Sequence, residues 1–368
     1  MSWLPTEVVD LVIDEALSSD WSSALVACSL VSRQWVPRTR HHGFSSIHLV
    51  HSAEIDSITT FVPVLESPLA TFASSVQQLR ISVATQDGAE SLPARHLLSL
   101  LARHGVAPTY LELRCGLHDL VGAVPLPSVT HLHLDMGCYG KMAPEEFVAM
   151  TEFIHGLAGL TSLTLHSPDA PGSIKSTYPP PKLRELEIRV PRVLDTILSM
   201  YDTPLVLPCL IIRSMRQSQW KDVLEYLDHA SALDSLALLY CAPMTVLQLY
   251  PTLRHLTIGV PFRIMPSHIL TALGSSSATQ LETLTLNGTR EQPWPGSLWS
   301  QWVEVDAVLA DSVRLAQLRW IILCGGGRDY ETIDTSLRDL RDHLPLCAAQ
   351  GLLVLQYTST PFPLPGWV

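Results

Sequence analysis

The sequence predicts an α/β chain in two unequal parts: three short helices over residues 1–43, then an irregular solenoid of parallel strands and helices over 44–360, with a tail at 361–368. Three observations predict it. The first 40 residues carry a helical period. From Phe44 onward an apolar-x-x-apolar-x-apolar spacing recurs. Amphipathic stretches of helical period lie between the recurrences.

From Thr6 the pattern is helical, with Pro5 in the first turn, where its missing N–H costs nothing. On a wheel of about 100° per residue, Val8, Val9, Val12, Ile13, Ala16 and Leu17 spread over roughly 180°, and Leu11 lies beyond them. Glu7, Asp10 and Asp14 hold the polar sector, and Glu15 interrupts the apolar arc. A helix with one face on a core needs a stripe of a little over ~100°, so this one has two apolar faces. The second face packs either on the rest of the chain or on a separate partner. A second helix reads over 21–29 behind Asp20 or Ser22 as N-cap, and Pro37 opens a third through Arg40. Three helices in ~40 residues are near the lower limit for independent folding, so the module is expected to lean on something.

The ordered set Leu4-Pro5, Val8, Ile13, Leu17, Leu25, Cys28, Val31-Ser32 and Trp35 resembles an F-box, the short helical module that docks a protein onto the Skp-family adaptor of a cullin–RING ubiquitin ligase. The resemblance implies that Leu4, Pro5, Val8, Ile13, Leu17, Leu25, Cys28, Val31, Ser32 and Trp35 contact the adaptor or support that contact. Ser18-Ser19-Asp20-Trp21 departs from the usual short turn containing Asp or Pro, which bears on the local loop shape.

The strand template reads Phe44/Ile47/Leu49, Val76/Leu79/Ile81, Val129/Leu132/Leu134, Leu160/Leu163/Leu165 and Leu183/Leu186/Ile188. It continues as Leu207/Leu210/Ile212, Leu233/Leu236/Leu238, Leu253/Leu256/Ile258, Leu281/Leu284/Leu286 and Leu318/Ile321/Leu323, with Leu111/Leu113 and Leu352/Leu355 as weaker copies. Helical stretches are expected at 91–104, 144–157, 193–201, 220–229, 299–312 and 330–343. Strand, loop, helix, loop is the grammar of a leucine-rich-repeat solenoid, with strands on the concave face and helices on the convex face. Pro127, Pro181, Pro208 and Pro251 sit just ahead of strands, where they end the preceding element. The array resembles the degenerate leucine-rich repeats of large fungal F-box families, although the Asn or Cys that closes a standard repeat is largely missing apart from candidates such as Cys138. A doubly wound α/β sheet is the alternative, and it wants fewer strands and one Gly-rich crevice.

Composition bounds the partners. Net charge is −11, from 24 basic and 35 acidic residues, with no basic run, which argues against nucleic acid and anionic membrane. Seven scattered cysteines without a CxxC pair favour reduced thiols in the cytosol or nucleus. The acidic N-terminus is no signal peptide, and no apolar run reaches the ~18–20 residues of a spanning helix.

Residues flanking the inward leucines are expected to face the concavity. Arg80, Glu112, His133 and Glu187 offer paired hydrogen bonds, while Ile211, Leu239, Trp320 and Ile322 offer an apolar surface for a target protein, with Leu239, Trp320 and Ile322 as a desolvated anchor. Gly325-Gly326-Gly327 lacks the Lys-Ser/Thr continuation of a phosphate loop, and His131 and His133 have no companion at metal-ligand spacing. No catalytic signature occurs and no cofactor is expected. What the resemblance implies is a non-enzymatic substrate receptor of an SCF-type ligase, binding the adaptor, through it a cullin, and an unknown target. A scaffold or sensor that binds the adaptor without driving degradation uses the same contacts. A hydrolase built on a solenoid is a third class, which needs a His and a carboxylate brought together across strands.

Overall fold

The computed structural model describes residues 5–19, 28, 31, 35–52, 54–67, 72–83, 94–136, 143–166, 181–189, 205–214, 232–242, 252–262, 264–273, 280–289, 299–313, 315–326 and 337–358. The chain divides into two compact units, Met1–Pro181 and Lys182–Val368.

In the first unit, α1 (Thr6–Ser19) precedes α2 (Val36–Ser45), which leads directly into β1 (Ser46–His51). After β1 come α3 (Ser57–Glu66), β2 (Gln78–Val83), α4 (Ala94–Arg103), β3 (Tyr110–Arg114), β4 (His131–Asp135), α5 (Pro144–His155) and β5 (Ser162–His166). All five strands are parallel and pair in chain order. Their register stacks Ile47, Leu79, Leu111, Leu132 and Leu163 in one row and Leu49, Ile81, Leu113, Leu134 and Leu165 in a second. Both rows are buried, each side chain contributing roughly 1.5–3 kcal/mol.

The second unit repeats the device with β6 (Glu185–Ile188), β7 (Cys209–Arg213), β8 (Ser235–Leu239), β9 (His255–Gly259), α6 (Met265–Leu273), β10 (Thr283–Thr289), α7 (Trp299–Leu309), β11 (Trp320–Gly326), α8 (Pro345–Ala349) and β12 (Leu353–Thr358). These strands are also parallel and in order. Trp302 of α7 is fully buried. Asp306, also on α7 and buried, accepts the amides of Leu346 (2.8 Å) and Cys347 (2.9 Å). It thereby supplies from a distant helix the cap that α8 lacks in its own sequence.

A recurring hydrogen-bond device sets the start of most strands. The carbonyl of the residue just before a strand accepts two successive amides from the start of the next: Gln77 from Thr109 and Tyr110, Thr130 from Thr161 and Ser162, Arg254 from Glu282 and Thr283. Pro208 accepts such a pair, from Asp234 and Ser235, but has no N–H to give, so only Cys209 donates back, to Arg184.

Several expectations shift. Phe44 lies in the last turn of α2, not in a strand, and stacks on Phe72 at 4.5 Å. In the last repeat Leu353 pairs with Ile321 and Leu355 with Leu323, so Leu355 takes the template's final position and not the middle one that its spacing from Leu352 implies. The closing residue of a repeat is found at Cys241, whose thiol donates to the carbonyls of Ile212 (3.4 Å) and Leu239 (3.5 Å). Cys138, the helices expected at 193–201 and 220–229, most of 21–29 and the tail lie outside the described residues. The helix expected at 330–343 is described only over 337–342. Helices α3, α6 and α8 fall outside the expected helical stretches.

Candidate functional site

Two surfaces carry the expected contacts: the outer face of α1 and the strand faces opposite the leucine rows. On α1, Val9 and Ile13 are buried against Cys28 and Trp35. Asp14 is gripped by Arg38 through two bonds (Nε to Oδ1 3.0 Å, Nη2 to Oδ2 2.7 Å) and by His42 Nε2 at 2.7 Å. The Arg38 bonds hold the Asp14 carboxyl below its ordinary value and raise Arg38 in return. This fork ties α1 to α2. The other apolar face remains open, with Val8 39%, Leu11 68% and Val12 43% exposed. Val31 is 60% exposed.

Ile13 and Cys28 therefore cannot touch a partner; they support the helix from within. Pro5 is exposed, and its carbonyl accepts the amides of Val8 and Val9. Trp35 is half-buried under the helix. Leu4, Leu25 and Ser32, and the side chain of Leu17, are outside the described residues. Leu11 and Val12 are exposed residues that the family pattern did not single out; the wheel carried that signal, since Leu11 lies about 60° from Val8 on one side and Val12 about 40° on the other, with the buried Val9 and Ile13 further round.

In the first unit the strand faces are polar. Glu112 is buried beneath Arg114 (2.8 Å), Arg80 (3.4 Å) and the Tyr110 hydroxyl (3.3 Å). Burial pushes its carboxyl up, but His133, Arg114 and Arg80 together hold it below its ordinary value. His133 is buried beside it, while Arg80 stays about half exposed. On the next position along, Asp135 meets His166 Nδ1 at 2.9 Å. Above these residues, at the carboxyl ends of β1–β4, lies a crevice of about 320 Å³. Cys115 lines it, and burial pushes its thiol up to about 12, so it is no nucleophile near neutral pH.

The second unit repeats the buried carboxylate: Glu187 is held by Arg213 and, at 3.3 Å, by Arg189. Ile211 and Leu239, however, are 0% and 1% exposed and form a buried cluster with Ala237. Neither offers an apolar surface to a target. Trp320, half exposed, and Ile322, half-buried, are neighbours on β11. Leu239 on β8 is three strands away, roughly 14 Å at ~4.8 Å per strand. The three do not form one anchor.

Among the described residues, no group of three or more His, Cys, Asp or Glu side chains is placed to hold a metal ion, and no helix is long and apolar enough to cross a membrane. No family model matches this sequence. No curated protein matches it either. A solved structure from Bacteroides fragilis, a structural genomics target, aligns with 81% of this chain and 69% of its own at 13% identity and a TM-score of 0.32.

Proposed function

We propose that this chain is the substrate-recognition subunit of an SCF-type cullin–RING ubiquitin ligase. In this reading the N-terminal helices form an F-box that binds the Skp-family adaptor, the repeats hold a target protein, and the complex works in the cytosol or nucleus. The observation that carries the reading is the division of labour on α1: Val9 and Ile13 face inward, while Val8, Leu11 and Val12 remain exposed beside the acidic surface residues Glu7 and Glu15. Exposing this much apolar surface on one helix marks an interaction site. A second support is the join: α2 ends at Ser45 and β1 begins at Ser46, so no flexible linker separates the helices from the repeats. A receptor of this kind contributes proximity and orientation, with bond-making left to the enzymes it gathers.

Co-purification of the full-length chain with a Skp-family adaptor tests the proposal. Stoichiometric capture is expected, and Val8→Asp/Leu11→Asp, which alters only exposed positions of α1, is expected to weaken it by more than about tenfold. A folded double variant that still captures the adaptor at full strength sinks the reading. Adaptor capture with no cullin-dependent change in any partner's abundance assigns the chain instead to a scaffold or sensor role.

A further inference from the structure

We propose that the crevice at the carboxyl ends of β1–β4 binds a small zwitterion, specifically a free α-amino acid with an apolar side chain. The crevice lies at the carboxyl ends of four parallel strands. The crevice's volume of about 320 Å³ lies near the lower end of the ~300–1,000 Å³ that small-molecule sites occupy. Val50, Val83 and Met136 give it an apolar wall.

Its charges are what select the ligand. Arg114 and Asp135 both line the crevice and are register partners on adjacent strands, which places their backbones about 5 Å apart. The Arg114 guanidinium rests on Glu112 through Nε and is 55% exposed. Asp135 holds His166 through one oxygen, and a carboxylate offers about four acceptor sites, so an incoming ammonium can join that contact. A monoanion drawn to Arg114 is repelled by Asp135, and a monocation meets the converse. A ligand carrying both signs on one carbon satisfies both, and its side chain then meets the apolar wall. The inference is independent of the adaptor reading, since none of these residues belongs to α1 or α2.

Isothermal titration of the full-length chain provides the test, with leucine as probe. Its companions are 4-methylpentanoate, which lacks the ammonium, 3-methylbutylamine, which lacks the carboxylate, and N-acetyl-leucine, whose ammonium is blocked. Leucine is expected to bind, and each single-charge analogue to bind at least about tenfold more weakly. Arg114→Gln and Asp135→Asn are each expected to weaken leucine by a similar factor, with circular dichroism confirming that both variants fold. Asp135→Asn leaves the Glu112 cluster intact and so keeps the test valid if Arg114→Gln unfolds. Silence of the folded wild type toward leucine, valine and phenylalanine overturns the proposal. So does equal binding of N-acetyl-leucine, which assigns the crevice to a chain terminus, or leucine binding indifferent to both variants.

Discussion

His268 lies buried on α6, and among the described residues its Nε2 meets no hydrogen-bond partner. Burial lowers its pKa from the ordinary 6.5. Between the two values the unfolded chain binds more protons than the folded one, so stability rises with pH across that window. The contribution is complete above about 6.5 and is lost as the pH falls below it. His268→Leu should therefore narrow the gap between thermal midpoints at pH 7.5 and pH 5.5; an unchanged gap shows that this imidazole does not control the acid limb. Single residues also mark where sequence reading stopped. Val8 is exposed and Ile13 is buried, yet both are apolar, and only packing separates the one that supports from the one that faces out. For Ile211 and Leu239 a warning was present in the sequence. Leu210-Ile211-Ile212 and Leu236-Ala237-Leu238-Leu239 are unbroken apolar runs, the mark of strands covered on both faces. Tyr110-Leu111-Glu112-Leu113-Arg114 alternates, as a strand with one polar face does.

The helix ends show how one element sets the phase of the next. Helix α4 closes at Gly105 (φ 71°), with Gly105 N–H on the Ala102 carbonyl and Val106 N–H on that of Leu101. Helix α8 closes in the same way at Gly351 (φ 70°), with Gly351 on Ala348 and Leu352 on Cys347. Both are paired closing bonds around a left-handed residue, a conformation that glycine adopts without strain. Gly351→Ala should cost about 1 kcal/mol, read as a lower denaturation midpoint at unchanged slope. A stability equal to wild type rejects the strained-turn account. The same turn explains the register of β12. Adjacent leucines at 352 and 353 leave the alternation ambiguous, and the turn at Gly351 uses the Leu352 amide to close the helix, leaving Leu353 to pair with Ile321. The strands were legible because their template combines two spacings that few other structures share. Helix α3 was not, because Ile58, Thr59, Thr60 and Val62 are β-branched and Pro63 lies inside it. Its cap, the Asp56 carboxylate accepting the Thr59 amide at 3.1 Å, was the available signal.

Across a whole unit, each strand pairs with the one before it and the one after it, and stability in such arrays is close to a sum of neighbour terms. Leu284→Ala on β10, a fully buried position, should cost ~2–5 kcal/mol. Amide hydrogen exchange should then quicken first in β9 and β11, which flank it, and least in β6. Uniform acceleration from β6 to β12 would show instead that the unit opens all at once. The order of the strands has one more consequence, for synthesis. Within β1–β5, and again within β6–β12, every strand except the first of its run meets as its first neighbour a segment that the ribosome has already released. No early strand waits for a distant partner still to be translated, so the nascent chain can lengthen its sheet at the pace of translation and keep no more than one fresh strand edge uncovered at a time.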